Sequence, residues 1–182
     1  MTHAIDSAVR PVTAAGTEAN PFGLIVDATT AAGTGDIIRI VGNGGADNEI
    51  LTETDNRPYL VGFSSLSQPL EDGPKFEVPQ DVVVQIDGGA IIKFHGANID
   101  VGTSAVGIDR SAGVLQVLGT TERETYFTSF NNDLIGGDSN GNNNNPISDD
   151  WGGLVLRDDS DAQDMTADPS DPGIFLNYVN HA

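Results

Sequence analysis

A right-handed parallel β-helix is the fold class that this 182-residue sequence predicts, and three observations carry the expectation. The second half is a string of short segments rich in Val, Ile, Phe and Tyr: Val82–Asp87, Ala90–Phe94, Asn98–Val101, Val114–Leu118, Thr125–Phe130, Trp151–Leu156 and Ile174–Val179. Each is too short for a typical helix, and those between Val82 and Leu118 alternate inward with outward residues. The first three are separated only by Gly88-Gly89-type corners, as in a strand that turns and starts again. Finally, Leu115 follows Val84 by 31 residues at a comparable core position, the offset expected when one coil is laid on the next.

Taken in order, residues 1–21 are rich in Ala and Thr without period and read as a flexible leader. Gly23–Asp27 and Asp36–Val41 are the first strand candidates, the second a compact β-branched run. Gly42 to Asn48 is turn chemistry almost throughout, Tyr59–Phe63 is another strand, and Asp72-Gly73-Pro74 is a turn. Residues 22–75 are therefore expected to form a small β-rich cap over the end of the rod, since an uncovered end exposes apolar surface and strand edges. The coils are expected over 76–182. Alternation turns Val82, Val84, Ile86, Ile92, Phe94, Ile99, Val101, Leu115 and Val117 inward. It turns Val83, Gln85, Asp87, Ile91, Lys93, His95, Asn98 and Asp100 outward. Thr125–Phe130 does not alternate cleanly. Two long polar stretches, 131–150 and 158–172, cannot bury enough apolar surface to fold alone and read as loops inserted between strands. Helix signals are poor throughout. With its last strand candidate ending in mid-coil, the solenoid is expected to be incomplete at its C-terminus and to continue in a parent chain after Ala182.

Eight basic residues against 27 acidic ones give a formal charge of −19 and a pI near 4.1. That balance excludes nucleic acid, whose phosphates require Lys and Arg, and disfavours an anionic membrane surface. It suits a solvated acidic exterior or divalent cations. No segment is long and apolar enough to span a membrane, and the first residues lack the apolar stretch of a signal peptide. Cysteine is absent, so no disulfide framework is involved.

The runs Ile86-Asp87-Gly88-Gly89-Ala90-Ile91-Ile92-Lys93-Phe94, Asn98-Ile99-Asp100-Val101-Gly102, Asp109-Arg110-Ser111, Leu115-Gln116-Val117-Leu118-Gly119-Thr120, Tyr126-Phe127-Thr128-Ser129, Trp151-Gly152-Gly153 and Phe175-Leu176-Asn177-Tyr178-Val179-Asn180-His181-Ala182 resemble β-helix segments of very large secreted surface proteins of planctomycete-type bacteria. Ile38-Arg39-Ile40-Val41-Gly42-Asn43-Gly44-Gly45 resembles the stretch that precedes those segments, so the likeness covers roughly 22–182. The resemblance implies a pectin-lyase-like fold, an extracellular or cell-surface location and a structural or adhesive role. It carries over no catalytic residue.

Two kinds of chemistry are weighed on the residues themselves. Asp138, Asn140 and Asn142 stand at alternate positions and Asp149 at the twelfth of that count, which with Asp133 makes a candidate calcium loop. The count departs from an EF-hand at its sixth position, Asn143, and at its last, which is Asp rather than Glu. The competing reading is a turn cluster of Asn and Asp. The second loop carries Asp158, Asp159, Asp161, Asp164, Asp168 and Asp171, too loosely spaced to define one site. A polysaccharide lyase or hydrolase would need paired carboxylates, such as Asp149-Asp150 or Asp158-Asp159, or a base such as Lys93 or Arg157. Ser111 and Ser129 lack an evident His partner, His3, His95 and His181 are dispersed, and Trp151 reads as a core or corner residue. The expected function is a non-catalytic structural or adhesive segment of a large extracellular protein, with Ca2+ as the candidate ion. Extracellular polysaccharide or other surface proteins are the expected partners. The alternative is a polysaccharide-active, pectate-lyase-like or carbohydrate-binding module.

Overall fold

The structure is a computed structural model of the chain that describes residues 2–6, 16–45, 49, 56–104, 107–142, 145–161 and 176–182. Its elements are β1 (Thr2–Asp6), α1 (Ile25–Ala31), β2 (Ile37–Val41), β3 (Tyr59–Gly62), β4 (Phe76–Glu77), β5 (Val83–Asp87), β6 (Ile91–His95), β7 (Ala97–Val101), β8 (Val114–Leu118), β9 (Tyr126–Ser129), β10 (Trp151–Leu156) and β11 (Tyr178–Asn180). The fold is an all-β parallel solenoid. The strands form three sheets, in the orders β1-β2-β5-β8-β11, β3-β6-β9 and β4-β7-β10, and every strand pair in them is parallel. The chain visits the sheets in turn, so β2-β3-β4, β5-β6-β7 and β8-β9-β10 are successive coils. Val84 lies opposite Leu115, and the 31-residue offset recurs down the whole β5–β8 ladder. Thr2–Asp6, within the stretch expected as a leader, pairs with β2, and β2 and β3 lie on β5 and β6 in the same sheets as the later coils.

Alternation builds the core. Ile38, Ile40, Val82, Val84, Ile86, Ile92, Phe94, Ile99, Val101 and Val117 are fully buried, and Leu115 nearly so, in one continuous cluster. Each such side chain contributes about 1.5–3 kcal/mol relative to exposure, and in a stack each rests on its equivalent one coil away. At the β9–β10 end, the partly buried Trp151 stacks on Phe94 and Phe127 with ring centroids 5.8 and 5.7 Å apart, so the tryptophan packs against the core. Gly62 has φ +119°, and a Cβ there would stand 2.0 Å from the His95 carbonyl oxygen. Only glycine lets β3 approach β6 this closely.

Several expectations change. Gly23–Asp27 is not a strand: Ile25–Ala31 is the helix α1. Its first N–H donates to the buried Asp72 carboxylate at 2.9 Å, the other oxygen of which accepts the Leu60 N–H at 2.7 Å. An acid remote in sequence thus supplies the cap that Leu24 cannot, while Ile25 and Ala28, three apart, enter the core. Ile91 and Lys93, expected outside, are buried, as is Asp100. Their sheet faces do point away from the core, but loops and arginines lie over them. The Ile174–Val179 candidate reduces, among the described residues, to β11, and the greater part of 158–172 lies outside them.

Candidate functional site

The outer face of the β3-β6-β9 sheet is where the chemistry-bearing side chains gather. Stretch 131–142 leaves the end of β9 and folds back over β6, where its polar backbone meets the Lys93 ammonium. Lys93 Nζ donates to the carbonyls of Asn132 at 2.7 Å and Gly137 at 2.5 Å and to the Ser139 hydroxyl at 2.9 Å. Burial pushes its pKa down from 10.5 to about 8, with the Asp133 and Asp138 charges acting in the opposite direction. Beyond it the loop is a run of Asx turns. Asp138 Oδ1 accepts the N–H groups of Asn140 and Gly141, and Asn140 Oδ1 accepts that of Asn142. The Asn140 N–H leads the backbone donors that hold Asp138 below the usual carboxylate range.

A second centre is the buried Asp150, just before β10. Its Oδ2 accepts from the Ser129 hydroxyl at 2.5 Å, the Ile147 N–H at 3.0 Å and the Asn131 amide at 3.1 Å. His95 Nε2 stands 3.9 Å from its Oδ1. Desolvation raises the Asp150 pKa, but the bonds from Ser129, Ile147 and Asn131 and the nearby imidazole outweigh it and leave the carboxyl below its ordinary value. This is not a nucleophilic arrangement. The Ser129 proton points to the carboxylate rather than to the imidazole, whose Nδ1 meets the Phe63 carbonyl. A cleft of about 200 Å³ is lined by Ser64, Ser65, His95, Phe130 and Asn131 and by the calcium candidates Asn140 and Asn142.

Of the calcium candidates, Asp133, Asp138, Asn140 and Asn142 lie on this loop, the last three within the Asx turns, and Asp149 lies further along the chain, next to Asp150. Asp133 and Asn140 are half-buried, whereas Asp138, Asn142 and Asp149 are exposed, the last in a left-handed conformation at φ 71°. Asp133 Oδ1 is buried without a hydrogen-bond partner. Among the described residues no group of three or more His, Asp or Glu side chains is placed to hold a metal ion.

The β4-β7-β10 sheet carries a different network. Arg157 grips Asp100 through Nε and Nη2, both at 2.7 Å. The buried Arg110 reaches Glu77 at 3.2 Å and the Gly102 carbonyl at 3.2 Å. Asp159 accepts the Thr103 N–H at 2.9 Å, and Asp161 accepts the N–H groups of Leu176 and Asn177 at 2.7 and 3.0 Å. The hydrogen bond to Asp100 raises the Arg157 pKa, and that from Thr103 lowers the Asp159 pKa. Of the carboxylate pairs weighed for catalysis, Asp150 and Asp159 are thus engaged in holding loops to strands. Lys93 and Arg157, the two candidate bases, serve different sheets and are each bonded to their own oxygens.

Sequence reasoning missed the roles of Lys93, Asp150, Asp100 and Arg110. A signal existed for Lys93, the single charge within the apolar run Ala90–Phe94. No comparable signal marks the partners that cover Asp100 and Asp150. Comparison with known protein families, with curated proteins and with solved structures finds no match for this chain.

Proposed function

We propose that the chain is a segment of a right-handed parallel β-helix with a non-catalytic, structural or adhesive role in a large extracellular bacterial surface protein. The hand follows from the rule that crossovers between parallel strands of one sheet are right-handed in about 98% of cases, and each return to a sheet here is such a crossover. The observation that carries the role is the use made of the polar outer faces. Among the described residues, Lys93, Asp100, Arg110, Asp150, Arg157 and Asp159 each hold another part of the same chain in place. A site for turnover needs a base or acid free to meet substrate; groups spent on loop anchoring serve rigidity. The charge of −19 fits a solvated exterior at moderate ionic strength. The resemblance of 22–182 to bacterial surface β-helices supports the location.

The test is an incubation of the whole chain with polyuronates and with neutral glycans, in calcium and in chelator, following new reducing or unsaturated ends. The reading expects none. Cleavage that disappears in Asp150→Asn or Asp159→Asn, with the melt of the variant unchanged, would overturn it in favour of a polysaccharide-active module.

A further inference from the structure

The chain contains two lysines, and they stand in opposite environments. Lys75 is exposed, its ammonium 2.8 Å from Glu77. Lys93 is fully buried and its ammonium is surrounded by oxygen, two backbone carbonyls and one hydroxyl, all from a single stretch of eight residues, 132–139. Carbonyl and hydroxyl oxygens wrapped by one short loop are the ligand types that a hard cation takes. We propose that loop 131–142 is a cation-organised loop whose cation is the tethered Lys93 ammonium, so that it closes over β6 without a bound metal.

The stoichiometry fits: an ammonium has three N–H donors, and three acceptors receive them. The backbone also fits. Gly136 runs at φ +67°, and a Cβ there would lie 3.3 Å from Lys93 Cε and 3.2 Å from the Asn56 carbonyl oxygen, so the loop passes directly over the lysine stem. The charges fit as well. Asp133 and Asp138, on the same loop, both favour the protonated amine, and Asp133 Oδ1 is buried with no hydrogen bond of its own. Removing the amine would leave the carbonyls of Asn132 and Gly137 facing a gap, a loss felt in the loop before it is felt in the core. The same oxygens are closed to an outside cation while the lysine is in place. The inference concerns the loop alone and stands whichever role the whole chain has.

The native chain allows a direct test, because Lys75 is an internal reference. The protein is treated with an amine-acylating ester near neutral pH and labelling of each lysine is followed by peptide mass spectrometry. Lys93 is expected to react at least about 100-fold more slowly than Lys75, as local opening would dictate, at a rate unchanged by calcium or chelator. Labelling as fast as that of Lys75, or a rate that chelator raises and calcium lowers, overturns the proposal. A second arm separates charge from volume. In Lys93→Ala, deuterium exchange of the 131–142 amides is expected to rise, and n-propylammonium to restore protection where n-propanol does not. Equal rescue by the alcohol, or wild-type protection in the variant, would make the lysine a space-filler and sink the idea. If Lys93→Ala does not fold, labelling of the native chain still decides.

Discussion

Lys93 carries its charge into a position that water does not reach, and its cost and its use fall on different parts of the molecule. Desolvation lowers its pKa to about 8, so the ammonium is a net burden on the whole fold even while it ties down the loop. The sign of the pH dependence follows. Between about 8 and 10.5 the unfolded chain keeps a proton that the folded chain has released. The free energy of unfolding should therefore rise with pH across that window. Urea titrations at both ends of it, on wild type and on Lys93→Met, isolate the contribution, since every other titrating group is common to both. The wild type should gain stability relative to the variant as pH rises. Parallel curves would mean that the amine keeps its ordinary pKa. Asp150 has the opposite character: its pKa is lowered, so its contribution is present above the normal carboxylate range and is lost as pH falls through its folded value.

Among the elements, β5 shows what the alternating pattern can and cannot say. Val84 and Ile86 are fully buried and Val83, Gln85 and Asp87 half-buried, as the period of two requires. Ile86→Ala should cost about 2–5 kcal/mol. Gln85→Ala, which removes only a 3.0 Å bond to Gln116, should cost about 1 kcal/mol or less. Chemical denaturation midpoints of the two variants check the contrast, and similar losses would mean that β5 does not present these faces. β6 has the same period yet buries both sides, because its outer face is covered by a loop forty residues further on. The pattern of a strand reports its pleat; it does not report what another part of the chain lays across it. Helix α1 was hidden for a related reason. Its cap is Asp72, 47 residues from Ile25, so no local signal announced its start.

At the scale of the whole molecule, what was legible was the part that repeats. Stacked coils place like residues on like residues, and that ladder is written into the chain as a 31-residue offset between Val84 and Leu115. What was not legible is the single-use part: the Lys93 cage, the Asp150 centre and the Arg157–Asp100 clamp each depend on one long-range meeting. Among the described residues β9 and β10 are the last strands of their sheets, and β11 lies on β8 one coil further on. The central claim is the parallel stack in this register, and the absence of cysteine makes it simple to test. Gln85 and Gln116 are partners on the outer face of β5 and β8. Cysteines at both positions would have Cα atoms about 4.8 Å apart, inside the roughly 4.4–6.8 Å that a disulfide spans. Oxidation of Gln85→Cys/Gln116→Cys should close a cross-link rapidly. Gln85→Cys/Leu118→Cys, two residues out of register on the same face, should close it slowly or not at all. Equal rates, or faster closure in the second pair, would contradict the stack.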